Sequence, residues 1–234
     1  AGKAAAFDLS AACSGFVYAA AVASQFIASG IYRYVLVIGA ETLSKVVDWT
    51  DRNTCVLFGD GAGAAVFGPV ADGYGLLGFD LGSDGSGGDA LDIPAGGSLQ
   101  PVTAEALAEH QQFIHMDGKA VFRFAVKIMG QTVEESLKKS NYTKQDLDWL
   151  VPHQANIRII EAAFKRLDLP REKVIINIQK YGNMSAASIP VALAEAAHGR
   201  RFKKGDLIAL AGFGAGLTWA SCIMKWAKED EADV

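Results

Sequence analysis

The chain has 234 residues, half of them hydrophobic and 21% charged, enough to build a large core. Twenty-two basic against 26 acidic residues leave a net charge of −4, which excludes the basic stripe that a nucleic-acid surface needs. No apolar run approaches a membrane span. Cys13, Cys55 and Cys222 lie far apart with no CxxC pair, which excludes a disulfide framework or zinc site and fits a reducing cytoplasm.

Ala4–Leu9 reads as a short buried strand. From Cys13 to Ser29, Phe16, Val17, Tyr18, Val22, Phe26 and Ile27 are set among alanines. No polar stripe interrupts them, so this helix is expected to be buried on all sides and to end at Gly30. Tyr34–Ala40 (YVLVIGA) is a continuous apolar strand of the kind covered on both faces. Gly59-Asp-Gly-Ala-Gly leads into a third strand, Ala64–Val70. Asp72 to Leu99, rich in Gly, Ser and Asp, reads as turns and an exposed connection. Further on, Val121–Ser140 has helical spacing, Asp148–Val151 enters a strand, and Asn156–Leu167 is an amphipathic helix ending before Pro170. Val174–Ile178 (VIINI) is predicted as a strand and Ser185–Ala197 as a helix of small and apolar residues. Leu207–Ala211 and Leu217–Trp226 are strands either side of Gly212-Phe-Gly-Ala-Gly.

The two parts of the chain repeat one grammar. "AFDLSAACSG… YVLVIGAE… GAGAAVFG" answers "INIQKYGNMSAAS… DLIALAGFG… LTWASCIM", which suggests a duplicated α/β fold with two parallel-type sheets. The expected division is residues 1–72 as the remainder of a first half and residues 73–234 as the second. Val121–Leu167 has no counterpart ahead of the first copy, and the chain opens on Ala1-Gly-Lys. The expectation is therefore a chain cut inside its first half, inactive by itself and with unpaired sheet edges that invite association.

Cys13 stands at the junction of strand and helix. It is either a thiol whose anion the helix N-terminus stabilises or a small buried hydrophobe. His153, in "VPHQAN", ends a strand, and Asn183, in "YGNMSAASIP", stands at the mouth of the second helix, at the position matching Cys13. An isolated histidine or a turn asparagine carries little by itself. All three lie at the C-terminal ends of strands, the rim where open α/β sheets place ligands. Cys55 and Cys222 sit in apolar stretches, and His110, His115 and His198 read as surface residues. Gly73, Gly75 and Gly78 satisfy a dinucleotide pattern by letter, but no helix follows. Gly212–Gly216 is either a tight hairpin or a set of inward-facing N–H groups forming an anion hole. A papain-like hydrolase also runs Cys, His, Asn along the chain, but it leaves the repeat and the buried helices unexplained.

The motifs "ACSG", "GDGAGA", "PHQAN", "GNMSAAS" and "GFGAGLTW", in this order, resemble the thiolase-fold condensing enzymes, in particular the β-ketoacyl-(acyl carrier protein) synthase III family. Elongating synthases of that fold carry Cys–His–His, and thiolases carry a second cysteine where Asn183 stands. The resemblance implies a thiolase-like, duplicated α/β/α/β/α five-layer fold with an incomplete first half, a homodimer and a cytoplasmic enzyme. It implies that Cys13 is acylated by acetyl-CoA or a short branched acyl-CoA, and that His153 and Asn183 then promote decarboxylative condensation with malonyl-acyl carrier protein. Backbone N–H groups of Cys13 and Ala215 would form the oxyanion hole; the family usually has glycine where Ala215 stands. Arg52, Gly118 and Asn156 would line the coenzyme A channel, and Leu43, Phe58 and Phe213 would wall the acyl pocket. Arg158, Lys165 and Arg166 would receive the acidic carrier protein. No metal or cofactor is implied, and neither nucleic acid nor membrane is expected as a partner. A sister enzyme making a polyketide or a signal molecule shares the same triad.

Overall fold

In the computed structural model, which describes residues 2–228, α1 (Gly15–Ala28) leads into β1 (Val35–Thr42) and β2 (Asp60–Phe67), an antiparallel pair. β3 (Gly75–Ser83), the short pair β4 (Leu91–Asp92) and β5 (His115–Met116), and the one-turn α2 (Ala104–Ala108) come before α3 (Gly118–Lys139). β6 (Trp149–Pro152), α4 (Ile157–Arg166), α5 (Ile178–Tyr181), α6 (Ser188–His198), β7 (Leu207–Gly214) and β8 (Thr218–Lys225) complete the order.

The main sheet runs β3-β8-β7-β6. Every residue of β7 is buried because both of its faces are covered. Ile208 and Leu210 point to one side, where they join Phe16, Val17, Ile189 and Ala192 of α1 and α6. Ala209 and Ala211 point to the other, where they meet Met129, Val133, Ile160 and Ala163 of α3 and α4. α1 and α6 also carry β1–β2 on their far side, so four layers follow one another: α3/α4, main sheet, α1/α6, β1–β2. Small residues make this close stacking possible. A Cβ added at Gly63 of β2 would lie 2.7 Å from the backbone nitrogen of Val191 in α6.

Several expectations change. The sheets are not parallel in type: only β6–β7 is parallel, and the other pairs are antiparallel. Ala4–Leu9 makes no ladder, so it is not a strand. Val174–Ile178 contributes a single parallel bridge, Val174 to Leu150, before α5 begins. β3 lies inside the stretch read as turns. Its glycines answer close neighbours, since a Cβ at Gly82 would sit 2.3 Å from the Trp219 ring. Gly212–Gly214 belong to β7, and the turn of the β7–β8 hairpin holds Ala215–Leu217. β1 is covered on one face only among the described residues, with Leu36 and Ile38 exposed on the other. Asp72 and Gly73 fall in the connection between β2 and β3.

Candidate active site

Two tight turns shape the site. A 3₁₀ turn, Ala12–Ser14, comes before α1, and another, Ser185–Ala187, comes before α6. Each opens on a non-glycine residue in the left-handed region, Ala12 at φ 47° and Ser185 at φ 45°. Such a conformation costs on the order of 1–3 kcal/mol and persists only where the surroundings hold it. This register pairs Cys13 with Ala186 and not, as the sequence suggests, with Asn183, which lies three residues earlier.

Cys13 is buried and lines a cleft of about 550 Å³. β7 ends against it: a Cβ at Gly214 would stand 2.6 Å from the Cys13 nitrogen, so only glycine lets the strand come this close. Burial pushes the Cys13 thiol up to about 11; a hydrogen bond with the Ser185 side chain opposes this in part, and the Glu41 carboxylate adds to it. The expectation of a resting thiolate is therefore corrected. Cys13 sits in the 3₁₀ turn ahead of α1, and loss of water there outweighs what the turn returns.

His153 follows β6 and extends the ladder, its backbone N–H donating to Ala211 O at 2.7 Å. The imidazole is buried and lies edge-on to Phe213 at 5.7 Å. Neither ring nitrogen has a hydrogen-bond partner among the described residues. Burial lowers its pKa to about 3, so the ring is neutral and offers one donor and one acceptor.

Asn183 is fixed by its backbone to the residues ahead of β2, through Asn183 N to Leu57 O and Gly59 N to Asn183 O, both 2.9 Å. Its Oδ1 accepts from Ser185 N at 2.8 Å, which leaves Nδ2 as the donor. The cleft thus brings a thiol from the first half together with an imidazole and an amide from the second. That set can attack a carbonyl carbon and donate to an oxygen that gains charge.

A family described as 3-oxoacyl-[acyl-carrier-protein (ACP)] synthase III matches residues 7–85, and the description for its C terminal matches residues 137–226. The β-ketoacyl-[acyl-carrier-protein] synthase III of Natranaerobius thermophilus is 60% identical over 227 residues, 96% of this chain and 69% of that one. The chain belongs to the β-ketoacyl-[acyl-carrier-protein] synthase III family. The solved synthase III of Thermus thermophilus is 45% identical with a TM-score of 0.85, covering 94% of this chain and 67% of the other. The priming β-ketosynthase of the R1128 polyketide pathway is 37% identical, also at 0.85, covering 96% of this chain and 66% of the other. The fold is the thiolase-like α/β fold of these enzymes and the activity class is acyltransferase, which sets the papain-like reading aside.

Phe58, Phe213, Gly118 and Asn156 line the cleft together with Cys13, His153 and Asn183. Arg52 is not among the lining residues, although its neighbours Asp51 and Asn53 are; Leu43 and Ala215 also lie outside the lining. Lys119 and Phe122, at the start of α3, line the cleft and were not read from the sequence. The missed signal is Asp117, which caps α3 by accepting from Lys119 N and Ala120 N at 3.0 Å. It starts the helix three residues before Val121.

Arg158 and Lys165 are exposed on α4, whereas Arg166 is held by a two-pronged contact with Glu134 at 3.0 and 2.6 Å. Lys119, Arg123 and Lys127 add three exposed cations at four-residue spacing, and so on one face, of α3. Among the described residues no group of three His, Cys, Asp or Glu could hold a metal, and no helix is long and apolar enough to cross a membrane.

Proposed function

We propose that this chain carries the machinery of the condensation that opens fatty-acid synthesis; the expectation that it is inactive by itself is the rival reading, which absence of product would favour. The observation that carries the reading is the convergence of Cys13, His153 and Asn183 on one cleft. In the first half-reaction the Cys13 sulfur attacks the thioester carbonyl of acetyl-CoA or a short branched acyl-CoA. The thiol proton passes to the neutral His153 and from it to the departing coenzyme A sulfur as that C–S bond breaks, which returns His153 to its neutral form, while the backbone N–H groups of Cys13 and Ala215 hold the oxyanion.

In the second half-reaction malonyl-acyl carrier protein enters. Its carboxylate leaves as CO₂, and the electron pair moves toward the thioester oxygen, where His153 and Asn183 Nδ2 donate. The resulting carbanion attacks the acyl-cysteine, which frees Cys13 and the 3-oxoacyl product. Two fixed donors in a dry cleft contribute several kcal/mol to this step. The chemistry balances without a metal or redox group.

Coenzyme A would lie against Gly118 and Asn156, with Arg52 beside the entrance, and Phe58, Phe213 and Leu43 would bound the acyl group. The N-terminus of α4 opens on the cleft, which favours the anionic part of either thioester, whereas that of α3 is already capped by the Asp117 carboxylate. Arg158 and Lys165, with Lys119 and Arg123, make the positive rim suited to an acidic carrier protein. Arg166, paired with Glu134, adds less than it would alone. A cytoplasmic homodimer belongs to the same proposal, and the exposed Phe7, Ile31 and Tyr32 support a second subunit.

The test is product formation from acetyl-CoA and malonyl-acyl carrier protein, followed as CO₂ release and as the 3-oxoacyl product. A panel of starter acyl-CoAs separates this reading from that of a polyketide-priming relative. Preference for acetyl or short branched starters supports it, and exclusive use of other starters contradicts it.

A further inference from the structure

Gln154, next to His153, is fully buried, yet it does not line the cleft. Its side chain uses all of its hydrogen-bonding capacity. Nε2 donates to Pro152 O at 2.8 Å and Ile175 O at 3.1 Å. Oε1 accepts from Asn177 N at 3.0 Å and Ile178 N at 3.1 Å. An amide has two donors and two acceptor sites, and here each has a partner.

The partners matter because the chain from Val174 to Asn177 runs beside β6 with only one bridge to it, together with Ile175 N to Leu150 O at 2.9 Å. The Gln154 amide supplies the backbone bonds that a strand would otherwise give this segment. It also satisfies the first N–H groups of α5. α5 is a single turn, after which Gly182 at φ 70° delivers Asn183. Asn177 Nδ2 at the start of α5, and Lys180 Nζ and Tyr181 Oη at its end, all donate to Glu195 of α6, at 2.8, 2.8 and 2.5 Å.

We infer that Gln154 is a positioning residue that sets where Asn183 stands relative to His153. The inference rests on the donor roles proposed for those two residues in decarboxylation. A displacement of about 1 Å in such a pair costs up to a hundredfold in rate. Cys13 is held by its own turn ahead of α1 and meets this segment through the Ser185 side chain, so acylation is less exposed to the displacement than decarboxylation.

The experiment measures the two half-reactions separately on the full protein: acylation of Cys13 by acetyl-CoA, and CO₂ release from malonyl-acyl carrier protein. Gln154→Leu removes all four bonds; Gln154→Glu keeps the volume and both acceptor contacts but loses the donors. Decarboxylation is expected to fall by tenfold or more in both variants while acylation stays within about threefold of the parent. Equal losses in both half-reactions, no loss in either, or failure of both variants to fold would overturn the inference and leave Gln154 a structural residue. Asn183→Ala, run in parallel, separates the two ideas. If it spares decarboxylation, the proposed donor pair has failed; if it cripples decarboxylation while both Gln154 variants do not, only the positioning role has failed.

Discussion

Cys13 rests as a neutral thiol and His153 as a neutral imidazole, because the walls of the cleft they share strip water from both. With the thiol near 11, its alkylation by iodoacetamide is expected to rise about tenfold per pH unit from pH 7 to 10; a plateau below pH 8.5 would contradict this environment. Burial of His153 acts on stability. Between its ordinary value of 6.5 and about 3 the unfolded chain binds a proton that the folded chain refuses, so stability is present above 6.5 and is lost as pH falls. The stability difference between the parent and His153→Leu, from urea unfolding, is expected to shift against the parent by about 1.4 kcal/mol per unit from pH 6.5 to 4.5. A flat difference would place the ring in contact with water. Asn183→Asp keeps the acceptor for Ser185 N–H and loses the donor, so CO₂ release is expected to fall about a hundredfold with acylation little changed. Equal losses would remove the division of roles. The sequence shows these three side chains because each stands in a loop or turn ahead of a helix; only His153 follows a strand, since neither 4–9 nor 174–178 forms one. Their ionisation is not legible there, since burial comes from Phe213, Leu57 and other walls remote in the chain.

Among the elements, the helices α1, α3, α4 and α6 follow from apolar spacing and small-residue runs, whereas β3 is hidden. Its glycines look like turn residues, and only the Trp219 ring and Ser140, which occupy the space of absent side chains at Gly82 and Gly78, reveal their purpose. The same packing gives a test at Gly63. Gly63→Ala meets Val191 N at 2.7 Å and is expected to cost about 1–3 kcal/mol, whereas Gly85→Ala, with nothing within 4 Å, stays within about 0.5 kcal/mol of the parent. Equal unfolding midpoints would mean that β2 and α6 can move apart. The segment 174–177 reads as a strand because VIINI is apolar. In the structure it has one bridge and takes the rest of its support from Gln154, a partner that no local pattern announces.

At the scale of the whole molecule, duplication is the most legible property. Each half sets a turn with a left-handed residue before a helix and then an antiparallel strand pair; α1 is buried at its start and along one face, not on all sides as its composition suggests. The exact register is not legible, because "SAACSG" and "NMSAAS" align by letter in more than one way and only the φ angles of Ala12 and Ser185 fix the match. Charge is arranged at this scale too. The chain carries a net −4, yet exposed cations gather on α3 and α4, helices whose first turns line the cleft. Arg123→Glu is expected to raise KM for malonyl-acyl carrier protein about tenfold at low salt with kcat retained, and an unchanged KM would move the docking surface elsewhere. Both half-reactions require that Cys13 Sγ receive the acyl group. Peptide mapping by mass spectrometry after exposure to acetyl-CoA tests this directly: one acetyl adduct is expected, on the peptide holding Cys13, with Cys55 and Cys222 unmodified. An adduct on another residue, or a Cys13→Ser protein that is still acylated, would contradict it.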